Sequence, residues 1–117
     1  TREEASLTSE VAAAIPGAVD LGGRTTLDSL GWILRRATLV VANDTGVAHL
    51  ADALDVPSVV VFAADDGSRA ARWAPLDTKL HQAVEGSPAA VSARARRLLR
   101  QIERGAGTRN RHPGVMA

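Results

Sequence analysis

The stretch LVVANDTGVAHL, residues 39–50, indicates the fold of this chain most clearly. Its first four residues are apolar without alternation, which is typical of a strand covered on both faces in a parallel sheet. The polar turn Asn43-Asp44-Thr45-Gly46 follows. From Val47 onward the apolar side chains recur at helical spacing. The stretch therefore predicts a buried strand, a tight loop and a helix, in that order.

The same alternation continues on both sides of this stretch. Residues 58–62 predict a second buried strand, residues 80–84 an edge strand and residues 19–21 a short strand. Predicted helices lie between and around them. Strands separated by helices favour an α/β fold with a Rossmann-like parallel sheet flanked by helices.

Helix boundaries are predicted from residues that favour helix ends. Pro16-Gly17 is expected to end the first helix, whose apolar face carries Leu7, Val11, Ala14 and Ile15. Thr26 is expected to cap the second helix, with Leu27, Leu30 and Leu34 on its buried side. Ser87 is expected to cap the last helix, with Pro88 as its first residue. The apolar stripe of this helix is formed by Val91, Ala95, Leu98, Leu99 and Ile102, and Gly105 is expected to stop it. We accordingly predict one domain over residues 1–105 and a disordered tail over residues 106–117.

The composition and charge distribution of the chain limit the kinds of site and partner that it can have. Cysteine is absent, which excludes disulfides and cysteine metal sites. The net charge is only +1, but residues 1–93 carry seven basic and twelve acidic groups, whereas residues 94–117 carry seven arginines and one acid, Glu103. Such a basic end is found in proteins that bind nucleic acid or an acidic membrane surface. We favour the simpler interpretation, a solvated helix face, and do not expect nucleic acid to bind; peripheral membrane association stays open.

No apolar run is long enough to span a membrane, and no signal peptide is visible, so a cytoplasmic protein is expected.

A long loop is predicted over residues 63–79. Its Asp65-Asp66 pair is interpreted as part of a solvated loop rather than as a metal site. No metal or other cofactor is expected. A NAD-binding domain is disfavoured because no Gly-x-Gly-x-x-Gly turn follows any predicted strand.

The loop after residue 42 carries the chemistry. The first amides of a helix have no partner inside it and attract anions, so a phosphate would satisfy them. Gly46 lets an anion approach the backbone, while Thr45 and His49 can donate hydrogen bonds to it. Asp44 is better suited to accept hydrogen bonds from sugar hydroxyls or to orient the loop. Taken singly, Asp-Thr-Gly is a common turn and a lone histidine is usually a surface residue.

Three segments together resemble a known family. Residues 20–27 (DLGGRTTL), residues 39–51 and residues 57–62 are similar to the C-terminal domain of the ADP-heptose:lipopolysaccharide heptosyltransferases, glycosyltransferase family 9. That family carries a D-[ST]-G-x-x-H motif after a buried strand, which here reads Asp44-Thr45-Gly46-Val47-Ala48-His49. The similarity covers roughly residues 3–85.

The resemblance implies a GT-B enzyme, in which two Rossmann-like domains face each other and the C-terminal one holds a nucleotide-sugar donor. Asp44, Thr45, Gly46 and His49 would surround the diphosphate and sugar of an ADP-heptose-like donor, and Thr25 would lie near the nucleobase. The acceptor would be a glycan or a lipid-linked saccharide such as lipopolysaccharide.

Two departures from the family pattern matter. The family's Gly-Pro-Thr-Asp-Pro-like loop is replaced by Ala63-Ala64-Asp65-Asp66-Gly67, although Trp73-Ala74-Pro75 resembles the family's Trp-Gly-Pro. No segment of this sequence resembles the family's N-terminal domain, which would carry the catalytic base, so we expect that domain to be missing and assign no catalytic residue. We also expect an exposed edge on the strand at residues 38–42. The alternative function is therefore a non-catalytic nucleotide-binding remnant.

Overall fold

The computed structural model describes residues 2–62 and 79–109. The chain divides into two compact units, Thr1–Ile33 and Leu34–Ala117. The predicted Asp65-Asp66 pair, the Trp73-Ala74-Pro75 segment and residues 110–117 of the predicted tail lie outside the described residues.

The N-terminal unit begins with the predicted helix. Helix α1 (Arg2–Ala14) ends just before Pro16-Gly17, where Gly17 takes a φ of 78°. A positive φ is readily available to glycine, so this residue can reverse the chain where the helix stops. The apolar side chains of Leu7, Val11 and Ile15 remain exposed. The helix is therefore confirmed, but the described residues of its own unit do not bury its apolar face.

The strand predicted over residues 19–21 is wrong. These residues are irregular, and Val19 is 76% exposed. The Asp20 carboxylate instead accepts hydrogen bonds from the Gly22 amide, at 2.8 Å, and from the Ser9 hydroxyl, at 2.8 Å. An aspartate that binds the backbone two residues ahead forms a turn that competes with strand pairing. A side chain at Gly22 would also collide with Thr8 of α1.

Helix α2 (Leu27–Arg36) begins at the predicted cap. The Ser29 amide donates to Thr26 Oγ1 at 3.2 Å, and the Thr26 amide donates to Ser29 Oγ at 2.8 Å. This reciprocal pair is a capping box with serine in place of the usual acid. Leu34 is buried and Leu30 partly buried, as predicted, but Leu27 is 75% exposed. The buried side therefore does not extend to the first residue of the helix.

Three parallel strands form the sheet of the C-terminal unit. They are β1 (Val40–Asn43), β2 (Ser58–Phe62) and β3 (His81–Glu85), in the order β1-β2-β3. Helix α3 (Gly46–Ala53) connects β1 to β2, and α4 (Pro88–Arg109) follows β3. The predicted α/β fold with a Rossmann-like parallel sheet is confirmed. Among the described residues β1 is an edge strand, as expected.

Helices cover both faces of this sheet. Because side chains alternate along a strand, neighbouring residues of β2 contact different layers. One layer joins α3 to the sheet through Ala48, Val60 and Phe62, with Ala42 and Ala83 against them. The other joins α4 to the sheet through a larger set: Val59, Val84 and Leu98, with Leu39, Val91, Ala95 and Ile102 against them.

Helix α4 is longer than predicted. It continues through Gly105 to Arg109, so the expected stop at Gly105 is wrong, and residues 106–109 of the predicted tail are helical. No left-handed conformation occurs at Gly105. The predicted apolar stripe packs on the sheet through Leu98, Val91, Ala95 and Ile102, whereas Leu99 does not belong to this layer. The wider division into a domain and a tail stays a prediction.

A buried polar cluster fastens the amino ends of the strands to α3. Ser58 and His81 are the first residues of β2 and β3 and pair in register, with Ser58 Oγ 3.0 Å from His81 Nδ1. His81 Nε2 lies 3.4 Å from Asp52 Oδ1 and 3.7 Å from Asp55 Oδ1. Both strand residues are buried, whereas the carboxylates reach solvent. We call Ser58, His81, Asp52 and Asp55 the histidine clamp.

The Asp20 turn predicts an acid-sensitive contact. The Gly22 amide, followed by the Ser9 hydroxyl, lowers the pKa of Asp20 below its ordinary value of 3.8. Because the folded-state pKa is depressed, the contribution of Asp20 to stability is present above the ordinary value and is lost as the pH falls through the lowered one. An NMR titration of the Asp20 carboxyl carbon should give a midpoint below 3.8.

Removing the Ser9 hydroxyl tests this cause. Ser9→Ala should move the Asp20 midpoint upward, because one hydrogen bond to the charged form is lost. Ser6→Ala, on the same helix, should leave it in place. Equal midpoints in the wild type and Ser9→Ala would show that this hydroxyl does not hold the carboxylate.

The histidine clamp predicts that replacing Ser58 lowers the free energy of unfolding of the protein. Ser58→Ala removes the partner of His81 Nδ1 inside the protein, which should lower the free energy of unfolding by about 1–3 kcal/mol. Ser92→Ala, at an exposed position on α4, should change it by less than about 0.5 kcal/mol. Urea unfolding measures both. Indistinguishable midpoints for the two variants would contradict a stabilising clamp.

Candidate functional site

The candidate site lies where β1 ends. The three parallel strands end at Asn43, Phe62 and Glu85, so their carboxyl ends share one edge of the sheet. Ligands of open α/β sheets bind beyond this edge. Thr45 is extended, with φ −141° and ψ 176°, and α3 starts at the next residue. The stretch is therefore the predicted strand, loop and helix rather than one continuous helix.

The first amides of α3 are only partly used inside the protein. The amides of Ala48 and His49 both donate to the Thr45 carbonyl, at 3.1 and 3.3 Å. Among the described residues, the amides of Gly46 and Val47 have no acceptor within hydrogen-bonding distance. Thr45 Oγ1 accepts no capping bond from these amides, and its hydroxyl donates to the Asn43 carbonyl at 3.3 Å. As far as residues 2–62 and 79–109 are concerned, the amino end of α3 is thus open to a further acceptor.

The amino end of the next helix at this edge, α4, differs from that of α3 because a side chain caps it. Ser87 precedes α4, and its hydroxyl oxygen accepts a hydrogen bond from the Ala90 amide at 3.3 Å. The predicted serine cap is therefore confirmed there. Of these two helices, α4 has an amide in its first turn that is bonded to the side chain of its capping serine. Helix α3 has no side-chain cap.

Space is available beside the open amides. Among the described residues, no heavy atom outside the chain neighbours and the backbone of its own helix lies within 4 Å of the position that a Cβ of Gly46 would take. Gly46 has a negative φ, so the backbone itself does not demand glycine. The missing side chain leaves room for a group that approaches the backbone closely.

Asp44 precedes α3 in the loop, and His49 lies in the first turn of the same helix. His49 Nε2 is 3.8 Å from Asp44 Oδ1, with the histidine side chain 61% exposed and the aspartate 24% exposed. This distance exceeds a hydrogen bond but allows attraction once the imidazole is protonated. The structure brings together four predicted site residues, Asp44, Thr45, Gly46 and His49. Thr25 is exposed and belongs to the N-terminal unit, so its role stays a prediction.

The histidine clamp is a second polar cluster, which the sequence did not predict. Ser58, His81 and Asp52 resemble the residue types of a nucleophilic triad. Ser58 is only 1% exposed, however, so a substrate cannot reach its hydroxyl. Contact between residues 23 positions apart depends on strand register, which a single sequence does not reveal.

Within the ranges 2–62 and 79–109, no three His, Asp or Glu residues are arranged to hold a metal ion.

Comparison with known proteins identifies the family. No curated protein and no solved structure matches the chain. The sequence profile of Glycosyltransferase family 9 (heptosyltransferase) matches residues 1–98 of the 117 residues. That match includes the open helix end and the Asp44–His49 pair. The chain therefore belongs to glycosyltransferase family 9, and its parallel sheet with flanking helices is a glycosyltransferase-like α/β domain.

Proposed function

We propose that this domain binds the diphosphate of a nucleotide-sugar donor at the amino end of α3. The observation that carries the proposal is the pair of amides, Gly46 and Val47, that have no acceptor among the described residues at the carboxyl edge of the sheet. Membership of a glycosyltransferase family supports a donor of this class. An ADP-heptose-like donor and a glycan or lipid-linked acceptor are the substrates we favour.

The proposed binding mode uses the helix end for the diphosphate. Phosphate oxygens accept from the Gly46 and Val47 amides, where the dipole of α3 also favours negative charge. The open space beside Gly46 admits the phosphate to the backbone. Thr45 donates its hydroxyl after turning it away from the Asn43 carbonyl, which it contacts at 3.3 Å.

The two exposed side chains have complementary roles. His49 lies within the first turn of α3 and donates an imidazole N–H to the leaving phosphate. Asp44 Oδ1 lies 3.8 Å from His49 Nε2, so the two side chains face the same part of the donor. The same carboxylate accepts hydrogen bonds from hydroxyls of the donor sugar. Both side chains therefore act on the junction between the diphosphate and the sugar.

In the proposed reaction, an acceptor hydroxyl oxygen forms a bond to the anomeric carbon of the sugar. The bond from that carbon to the phosphate oxygen breaks, and the nucleoside diphosphate leaves with added negative charge. Fixed amides and His49 stabilise that charge where it develops. The hydroxyl proton goes to a base, a role that this proposal assigns to none of the four loop residues.

A calorimetric titration with ADP tests donor binding. Gly46→Ala should weaken ADP binding by about ten- to a hundred-fold, because the added methyl group keeps the phosphate from a charge-assisted hydrogen bond. The folded protein should tolerate this change, since the position faces open space. The control is Gly105→Ala, a helical position with equally open surroundings on α4.

The outcomes separate the hypotheses. Equal ADP affinity in Gly46→Ala, Gly105→Ala and the wild type would overturn the assigned site. Adenosine, which lacks phosphates, should bind more weakly than ADP to the wild type. A wild type that binds ADP and ADP-heptose but consumes no donor in the presence of acceptor would favour the alternative, a non-catalytic nucleotide-binding module.

A further inference from the structure

One face of α4 concentrates positive charge. Arg96, Arg97, Arg100 and Arg104 are all exposed, and we call these four residues the arginine surface. Their spacings of three and four residues place them side by side on a helix. The face opposite to them carries the buried Leu98 and the half-buried Ile102, which pack on the sheet. The arginine surface therefore points away from the core.

These arginines are not neutralised within the described part of the chain. None of the four forms an ion pair with a carboxylate of residues 4–62 or 79–106, and Glu103 is the only acid among residues 94–117. Like charges three or four residues apart destabilise a helix. A solvated face that served only solubility would gain from alternating signs. The arrangement instead favours contact with an external anionic group.

The helix dipole does not explain the arrangement. Cations stabilise a helix near its carboxyl end, but this effect falls off within the last turn. Helix α4 ends at Arg109, so Arg96 and Arg97 lie more than three turns before its end. The helix dipole therefore does not account for the positions of Arg96 and Arg97.

We infer that the arginine surface docks onto an anionic lipid bilayer surface. The guanidinium groups suit phosphate because they donate paired hydrogen bonds in a fixed plane. A flat layer of lipid phosphates can meet the outer side of a helix whose apolar side is already buried against β2 and β3. No helix in residues 2–62 and 79–109 is long and apolar enough to cross a bilayer, so the inferred contact is at the surface. This inference does not depend on the proposed donor site.

Nucleic acid fits the same surface less well. Single-stranded nucleic acid is usually held by aromatic side chains that stack on the bases, and α4 contains no Trp, Tyr or Phe. Reading a major groove requires a helix that enters the groove. The side of α4 that carries Leu98 packs on the sheet, so that side is not available to enter a groove.

Vesicle co-sedimentation of the full 117-residue chain tests the inference. The chain should bind vesicles of phosphatidylcholine with phosphatidylglycerol and should not bind pure phosphatidylcholine. Each arginine near an anionic surface contributes about fivefold to binding. Replacing the four by glutamine should therefore reduce the partition coefficient by roughly several hundred-fold.

A matched variant controls for net charge. Arg24, Arg35, Arg36 and Lys79 are exposed residues elsewhere in the chain, and changing all four to glutamine removes the same charge. This control should retain most of the vesicle binding. Circular dichroism checks that α4 stays helical in both variants. Equal losses in the two variants would overturn the assignment to the arginine surface.

The wild type alone provides a second measurement. Binding to the phosphatidylglycerol vesicles should weaken as salt is raised, because ions screen contacts at an exposed surface. Equal binding to both kinds of vesicle, or no binding to either at low salt, would overturn the inference. So would arginine-dependent binding to duplex DNA without binding to anionic vesicles.

Discussion

Burial of β2 on both of its faces is the constraint on which the C-terminal unit depends. Val59 and Val60 are adjacent in the strand, yet both are almost fully buried, one against the α4 layer and the other against the α3 layer. Both neighbours of β2 pair with it in parallel, so its position fixes theirs. Since parallel strands share their carboxyl edge, this arrangement also determines where the loop after β1 projects.

Helix α3 has a different role at each end. Its eight residues span about 12 Å, so the helix reaches from one edge of the sheet toward the other. At its carboxyl end, Asp52 faces His81, and His81 is hydrogen-bonded to Ser58. At its amino end, the Gly46 and Val47 amides have no acceptor in the part of the chain that the structure describes. A helix fastened at one end can hold exposed amides in a fixed direction, which is what recognition of an anion requires.

Local sequence signals were reliable where a neighbouring residue decides the structure. The cap at Thr26, the cap at Ser87 and the end of α1 before Pro16-Gly17 all depend on contacts within a few residues, and all were predicted. The errors arose where two local signals competed. At residues 19–21, the hydrogen bonds of Asp20 outweighed strand propensity. At Gly105, the helix continued because glycine permits a left-handed turn without requiring one.

The sequence by itself determined the succession of strand, loop and helix around residues 39–50, the buried character of β2 and the grouping of Asp44, Thr45, Gly46 and His49. These features follow from periodicity and from residues adjacent in the chain. Only the tertiary structure decided that Ser58 meets His81, that β1 lies at an edge of the described sheet and that the apolar face of α1 stays exposed. These depend on strand register and on which layers cover which faces, because distant segments can pair in several ways that local propensity does not distinguish.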